Sequence, residues 1–130
     1  MLHKYEKNGA AIYKKSFRII RDESKLDHFS VDEEPVAVRM IHAAGMVELA
    51  KYIHFSSGFV QSARAALANG APIFCDAKMV SEGITRRRLP ADNDVICTLN
   101  APDIYELASN MNNTRSAAAL EHWRDRLEGA

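Results

Sequence analysis

Ala71-Pro72-Ile73-Phe74-Cys75-Asp76, A-P-I-F-C-D, is the stretch that decides the fold class. It is short and apolar and closes on an acid, whereas the segments before it repeat their apolar residues at helical spacing. A run of this kind reads as a buried parallel strand whose carboxyl end opens onto a helix. A second run, D-V-I-C-T-L, occupies Asp94 to Leu99. Between the two, Asp76 is in position to cap a helix from Ala77 to Glu82, which Gly83 ends. A polar connection from Thr85 to Asp94 carries Arg86, Arg87 and Arg88. Strand, helix, strand is the unit of a parallel sheet, and it predicts an α/β fold: a layered α/β/α domain with a parallel sheet. Ligands of such sheets gather at the strands' carboxyl ends, which points to Cys75-Asp76 and Thr98-Leu99-Asn100.

On the C-terminal side, Asn100-Ala101-Pro102 makes a turn into a helix from Asp103 to Met111. Asn112, Asn113 and Thr114 form a cap region, and a final helix is expected from Arg115 to Glu128, burying Ala118, Ala119, Trp123 and Leu127. On the N-terminal side, Val60, Ala63 and Leu67 align in a helix from Phe59 to Ala68, closed by Asn69-Gly70. Met46 to Ile53 reads as a short helix. Asn8 caps a first helix that runs to about Glu23 with Tyr13, Phe17 and Ile20 on its apolar face. These segments make an N-terminal helical portion, preceded by a polar arm from Met1 to Lys7.

The segment V-A-V-R-M-I-H-A-A-G-M, Val36 to Met46, is a helix opened by Pro35 and closed by Gly45, with Val36, Met40 and Ala43 or Ala44 as its expected buried positions. Arg39 and His42 are three residues apart and share a face. The commoner reading of such a pair is a core histidine satisfied by a carbonyl beside a solvated arginine. The sharper one is a cation and an imidazole gathered for chemistry. Ser16, inside the first helix, reads as a hydroxyl that bonds back to a carbonyl or faces water.

The chain has 130 residues, fitting one domain, with 47% apolar and 26% charged residues, a globular composition. Lys plus Arg and Asp plus Glu both count 17, a balance that argues against general nucleic-acid binding. It leaves room for a local basic patch and a small anionic ligand. Cys75 and Cys97 have no metal-like spacing and read as small buried hydrophobes in a reducing compartment. No signal peptide and no membrane-spanning run appears, so a cytoplasmic location without membrane partners is expected. Gly-rich phosphate loops, a dinucleotide fingerprint and a Gly-x-Ser-x-Gly elbow are all missing, which argues against nucleotide enzymes and serine hydrolases.

Five blocks, in order, resemble the precorrin-8X methylmutases of cobalamin biosynthesis and their cobalt-precorrin-8 counterparts. They are A-A-I-Y-K-K-S-F at Ala10 to Phe17, V-A-V-R-M-I-H-A-A-G-M at Val36 to Met46, and G-A-P-I-F-C-D-A-K-M-V-S-E-G-I at Gly70 to Ile84. Leu89 to Leu99 and T-R-S-A-A-A-L-E at Thr114 to Glu121 complete the set. The resemblance implies an isomerase that moves a methyl group from ring carbon 11 to 12 of a corrinoid, giving hydrogenobyrinic or cobyrinic acid. The shift is intramolecular, so no cofactor and no metal is implied. It implies a homodimer with a corrinoid small-molecule substrate, His42 as the catalytic proton donor and acceptor, and Ser16, Arg39 and Arg115 as substrate contacts. The substrate is an apolar ring edged with carboxylates, for which Met40, Met46 and Ala43 or Ala44 would supply apolar walls and arginines the carboxylate partners. The run Arg86 to Arg88 reads first as a solvated face, and second as a contact to substrate carboxylates or a partner subunit. Family members continue past L-E-G-A at Leu127 to Ala130, so residues 1–130 are expected to form a single domain lacking the family's C-terminal segment. The alternative reading is a non-catalytic corrinoid-binding or assembly module.

Overall fold

The computed structural model describes residues 3–130, and the chain divides into two compact units, Met1–Gln61 and Ser62–Ala130. Met1 and Leu2 of the expected arm lie outside the described residues, while His3 to Lys7 are irregular and exposed.

In the first unit, α1 spans Gly9–Glu23 and starts as expected, with the Asn8 side chain accepting the Ala11 N–H at 3.1 Å. The second helix, α2, spans Glu34–Ala44 with Pro35 in its first turn. Gly45 ends it in the left-handed region at φ +68°, its N–H bonded to the Ile41 carbonyl. The extent of α2 matches its expected limits, but its buried face does not. Ala37, Val38 and Ile41 are buried against Ile20, Ala50 and Ile53, whereas Met40 is 43% exposed and Ala43 and Ala44 face outward. The helix is apolar almost all round, so periodicity alone could not choose which stripe meets α1. Met46 to Ile53, expected as a short helix, contains a 3₁₀ helix over Val47–Tyr52.

The α3 helix spans Phe59–Ala68, beginning in the first unit and continuing into the second, and Gly70 follows it at φ +85°. Next come β1 (Ile73–Phe74), α4 (Lys78–Gly83) and β2 (Val95–Ile96). The strands pair in parallel, Ile73 with Val95 and Phe74 with Ile96. The class is therefore mixed α/β, with a small parallel sheet. The strands are shorter than the apolar runs containing them. Ala77, not Asp76, is the N-cap of α4, and no side chain caps it. Arg86 lies in a 3₁₀ turn, Arg86–Arg88, and donates to the carbonyls of Ser81 and Ile84 around the end of α4.

The last helices are α5 (Ile104–Asn110) and α6 (Arg115–Glu121), with the Thr114 hydroxyl accepting the Ala117 N–H. They enclose a core of Ile104, Ala118 and Ala119. The final helix stops a full two turns earlier than the spacing predicts, and a side chain explains why. Thr98 on the β2 side donates its hydroxyl to the Ala119 carbonyl at 2.7 Å and accepts the Trp123 indole N–H at 2.8 Å. The Trp123 backbone N–H turns to Leu120 instead, at 3.0 Å, a three-residue bond that tightens the helix to its end. A 3₁₀ turn over Arg124–Arg126 follows, and Leu127 is exposed.

Strands of two residues need support from outside the ladder, and Asn93 provides it. Its buried carboxamide donates to the carbonyls of Leu67 and Ala71, both at 2.8 Å, and accepts the Ala91 N–H at 3.2 Å. Asn93→Ala strands the Ala71 carbonyl and the Ala91 amide, while the Leu67 carbonyl keeps the Gly70 N–H. At about 1–3 kcal/mol per buried unpaired group, a loss of about 2 kcal/mol is expected. Urea unfolding should show a lower midpoint at an unchanged m-value.

Candidate active site

The amphipathic spacing of α1 sets Tyr13, Phe17 and Ile20 toward α2, with Ser16 at the edge of that face. Across from it, His42 sits in the last turn of α2. Ser16 Oγ and His42 Nδ1 are 2.8 Å apart. The hydroxyl can donate to a bare Nδ1 or accept from an Nδ1–H, so the ring keeps its orientation whether it gains or loses a proton. Phe17 meets the imidazole edge-on at 5.3 Å between centroids, and Tyr13 packs on it at 5.1 Å. Arg39 lies with its guanidinium over Phe17, Cζ to centroid 5.3 Å. Phe17 thus touches both the cation and the imidazole.

A groove of about 450 Å³ opens beside this pair, walled by Ile12, Ile19, Met46 and Val47 with Ser16 and His42 in its lining. Of the walls expected from the sequence, Met46 is present. Met40 instead lines a separate groove with Val36, Tyr52 and Phe59, and Ala43 and Ala44 line neither. The structure therefore brings Ser16, Arg39 and His42 together within the first unit.

Arg115 belongs to the second unit, at the start of α6. Its Nη1 donates to the Tyr105 hydroxyl at 2.6 Å, and its guanidinium lies 5.3 Å over the same ring. Tyr105, Tyr13 and Phe17 carry no site signal in the sequence, since aromatics at helical spacing signal packing before anything else. Of the Arg86–Arg88 run, Arg86 is bound to carbonyls as described, and Arg87 and Arg88 are exposed.

At the carboxyl ends of the strands, Thr98 is taken up by Ala119 and Trp123. Cys75 and Cys97 are free thiols, and among the described residues no group of three or more His, Cys, Asp or Glu could hold a metal ion. Burial pushes the Cys75 thiol above its ordinary value; Cys97 and Asp76 add to the rise and Arg86 opposes it. The folded chain thus holds this proton more tightly than the unfolded chain. Its contribution is complete below the unfolded thiol's pKa, about 8.5, and is lost as pH climbs through the raised folded value. Melting temperatures taken from about pH 7 to about pH 10 should fall at the alkaline end, and Cys75→Ala should flatten that fall.

A family model described as precorrin-8X methylmutase matches residues 11–130. The chain is 56% identical over 126 residues to the precorrin-8X methylmutase of Pseudomonas aeruginosa, covering 97% of this chain and 61% of that protein. Identity to the Sinorhizobium sp. precorrin-8X methylmutase is also 56%, covering 97% of this chain and 60% of the relative. Among solved structures, the precorrin-8x methyl mutase from Thermus thermophilus superposes with a TM-score of 0.79 at 36% identity, covering 94% of this chain and 60% of that one. The chain thus spans about three fifths of the length of the relatives it matches.

Proposed function

The chain belongs to the precorrin-8X methylmutase family, and from that premise we propose that it acts as an isomerase of corrin biosynthesis. The reaction is an intramolecular methyl migration between adjacent carbons of precorrin-8X or its cobalt form. The observation that carries this reading is the Ser16–His42 hydrogen bond in the lining of a largely apolar groove. His42 is the acid and base: it lends a proton to the macrocycle as the methyl group moves and recovers it afterwards, so nothing is consumed. Histidine suits the task because its ordinary pKa lies near working pH. Ser16 holds the ring in place through both protonation states. Arg39 and Arg115 meet the carboxylates at the edge of the ring, the role for which a guanidinium's planar fork is suited.

Residues 1–130 are read as one family domain of layered α/β/α build, since the family match runs through both compact units. It works as a homodimer in the cytoplasm. Its two free cysteines suit a reducing compartment. Sedimentation of the purified chain at twice the monomer mass is the expected result for the dimer.

Titration with hydrogenobyrinic acid, followed by its visible absorption, tests the corrinoid reading, and addition of precorrin-8X tests turnover. Wild type should bind and convert. His42→Ala should still bind but convert at least about a hundredfold more slowly, the scale of a lost general acid. Ser16→Ala should lower kcat by about tenfold with little change in KM, as expected for lost orientation. Binding without conversion would support the non-catalytic module instead, and no binding by folded protein would overturn both readings.

A further inference from the structure

The helix that presents Ser16 to His42 carries a second groove on its other side. Ala11, Lys14, Lys15, Arg18, Arg21 and Asp22 line it, around a space of about 520 Å³. At roughly 100° per residue, the circumference of α1 divides into three arcs. Phe17, Tyr13 and Ile20 face α2. Ser16, Glu23, Ile12 and Ile19 face the His42 groove, and Asp22, Ala11, Arg18, Lys14 and Arg21 face the basic one. Lys15 stands on the boundary and is the residue common to both linings.

The charge on this arc is unbalanced. Arg21 is paired with Glu34, Nε to Oε1 at 2.6 Å, and that pair is satisfied within the first unit. Among the described residues, Lys14, Lys15 and Arg18 have no ion pair and no hydrogen bond to an acid. Asp22 lines the same groove without closing a bridge, and Glu6 and Glu23 line the His42 groove, where Glu6 is held by the Asn8 N–H. Lys14 and Arg18 are four apart, a like-charge spacing that destabilises a helix. A chain of zero net charge thus keeps three unpaired cations together, next to an apolar groove holding an imidazole. That combination suits a ligand with an apolar body and anionic edges.

We propose that Lys15, backed by Lys14 and Arg18, is an anion-binding rim of the His42 groove that takes a peripheral carboxylate of the bound macrocycle. The inference rests on the corrinoid reading above and adds a contact that reading does not contain. Lys15 reaches the carboxylate directly; Lys14 and Arg18 supply the local positive field that draws a polyanion to the rim, a field that salt screens.

The test is the dissociation constant of hydrogenobyrinic acid for the full chain, measured by visible absorption over a series of salt concentrations. The proteins are wild type, Lys15→Gln, Lys15→Arg and the triple variant Lys14→Gln, Lys15→Gln, Arg18→Gln. All three positions are exposed, so the variants should keep the wild-type circular dichroism. Lys15→Gln should weaken binding about tenfold at low salt, the scale of one charge-assisted hydrogen bond. Lys15→Arg should restore it, and the triple variant should show a flatter dependence of log Kd on log salt. The fully methyl-esterified ligand, which has no carboxylates, should bind wild type and the triple variant alike. Equal Kd and equal salt slopes for hydrogenobyrinic acid across the four proteins would overturn the rim while leaving the corrinoid reading intact. An equal loss for acid and ester would also overturn it, by showing a merely structural effect. Failure of folded wild type to bind the acid at all would overturn the corrinoid reading and the rim with it.

Discussion

The register between α1 and α2 is fixed by directional contacts, the Ser16–His42 hydrogen bond at the end of α2 and the Arg21–Glu34 ion pair at its start, and the first of these is the one that reaches the site. Apolar burial holds the two helices together, with Ile20 and Ile41 each nearly inaccessible and each contributing about 1.5–3 kcal/mol. Burial has no direction, however, and α2 offers apolar residues on almost every side. The hydrogen bond contributes only about 1 kcal/mol, but it is directional. Sliding α1 by one turn would set Ile12, Ile19 or Ile20 against Nδ1 and leave a half-buried nitrogen without a partner. The weaker interaction therefore specifies what the stronger one merely stabilises. The Ser16–His42 bond thus shares in setting the register and also sets the orientation of the imidazole.

A different constraint governs the second unit. Its sheet is too short to be held by its ladder, and the segment that looks most like a loop supplies the missing bonds. Asn93 sits in a run of Asp, Asn and Asp that reads as solvent-exposed connection, yet it is buried and joins the end of α3 to the entrance of β1. Arg86 plays a related part at α4, turning a residue that looks available for ligands into a cap for carbonyls.

Legibility in the sequence follows from how local each cause is. The limits of α1 and α2 were readable because Asn8, Pro35 and Gly45 act on their own neighbours. Both strands were readable as apolar runs, though not their true lengths. The end of α6 was not readable, because the group that diverts the Ala119 carbonyl is Thr98, far away in the chain. The failure of Asp76 to cap α4 has the same character: residue type suggested a cap, and backbone geometry gave that position to Ala77. In the site, His42, Arg39 and Ser16 were named through blocks resembling a family, and spacing explains only why Arg39 and His42 share a helix face. That Phe17 would join them, and that Arg115 would rest on Tyr105, are facts of packing with no signal in residue order.

Trp123 is the single tryptophan of the chain, and its indole is clasped by Thr98 and tilted against Phe74 at 5.3 Å between ring centroids. The first unit contains tyrosines but no indole. Light absorbed beyond the tyrosine band is therefore emitted from one address only, the junction of β2 with α6. The protein carries a built-in, spatially selective fluorophore: a shift in its emission marks an event at that junction.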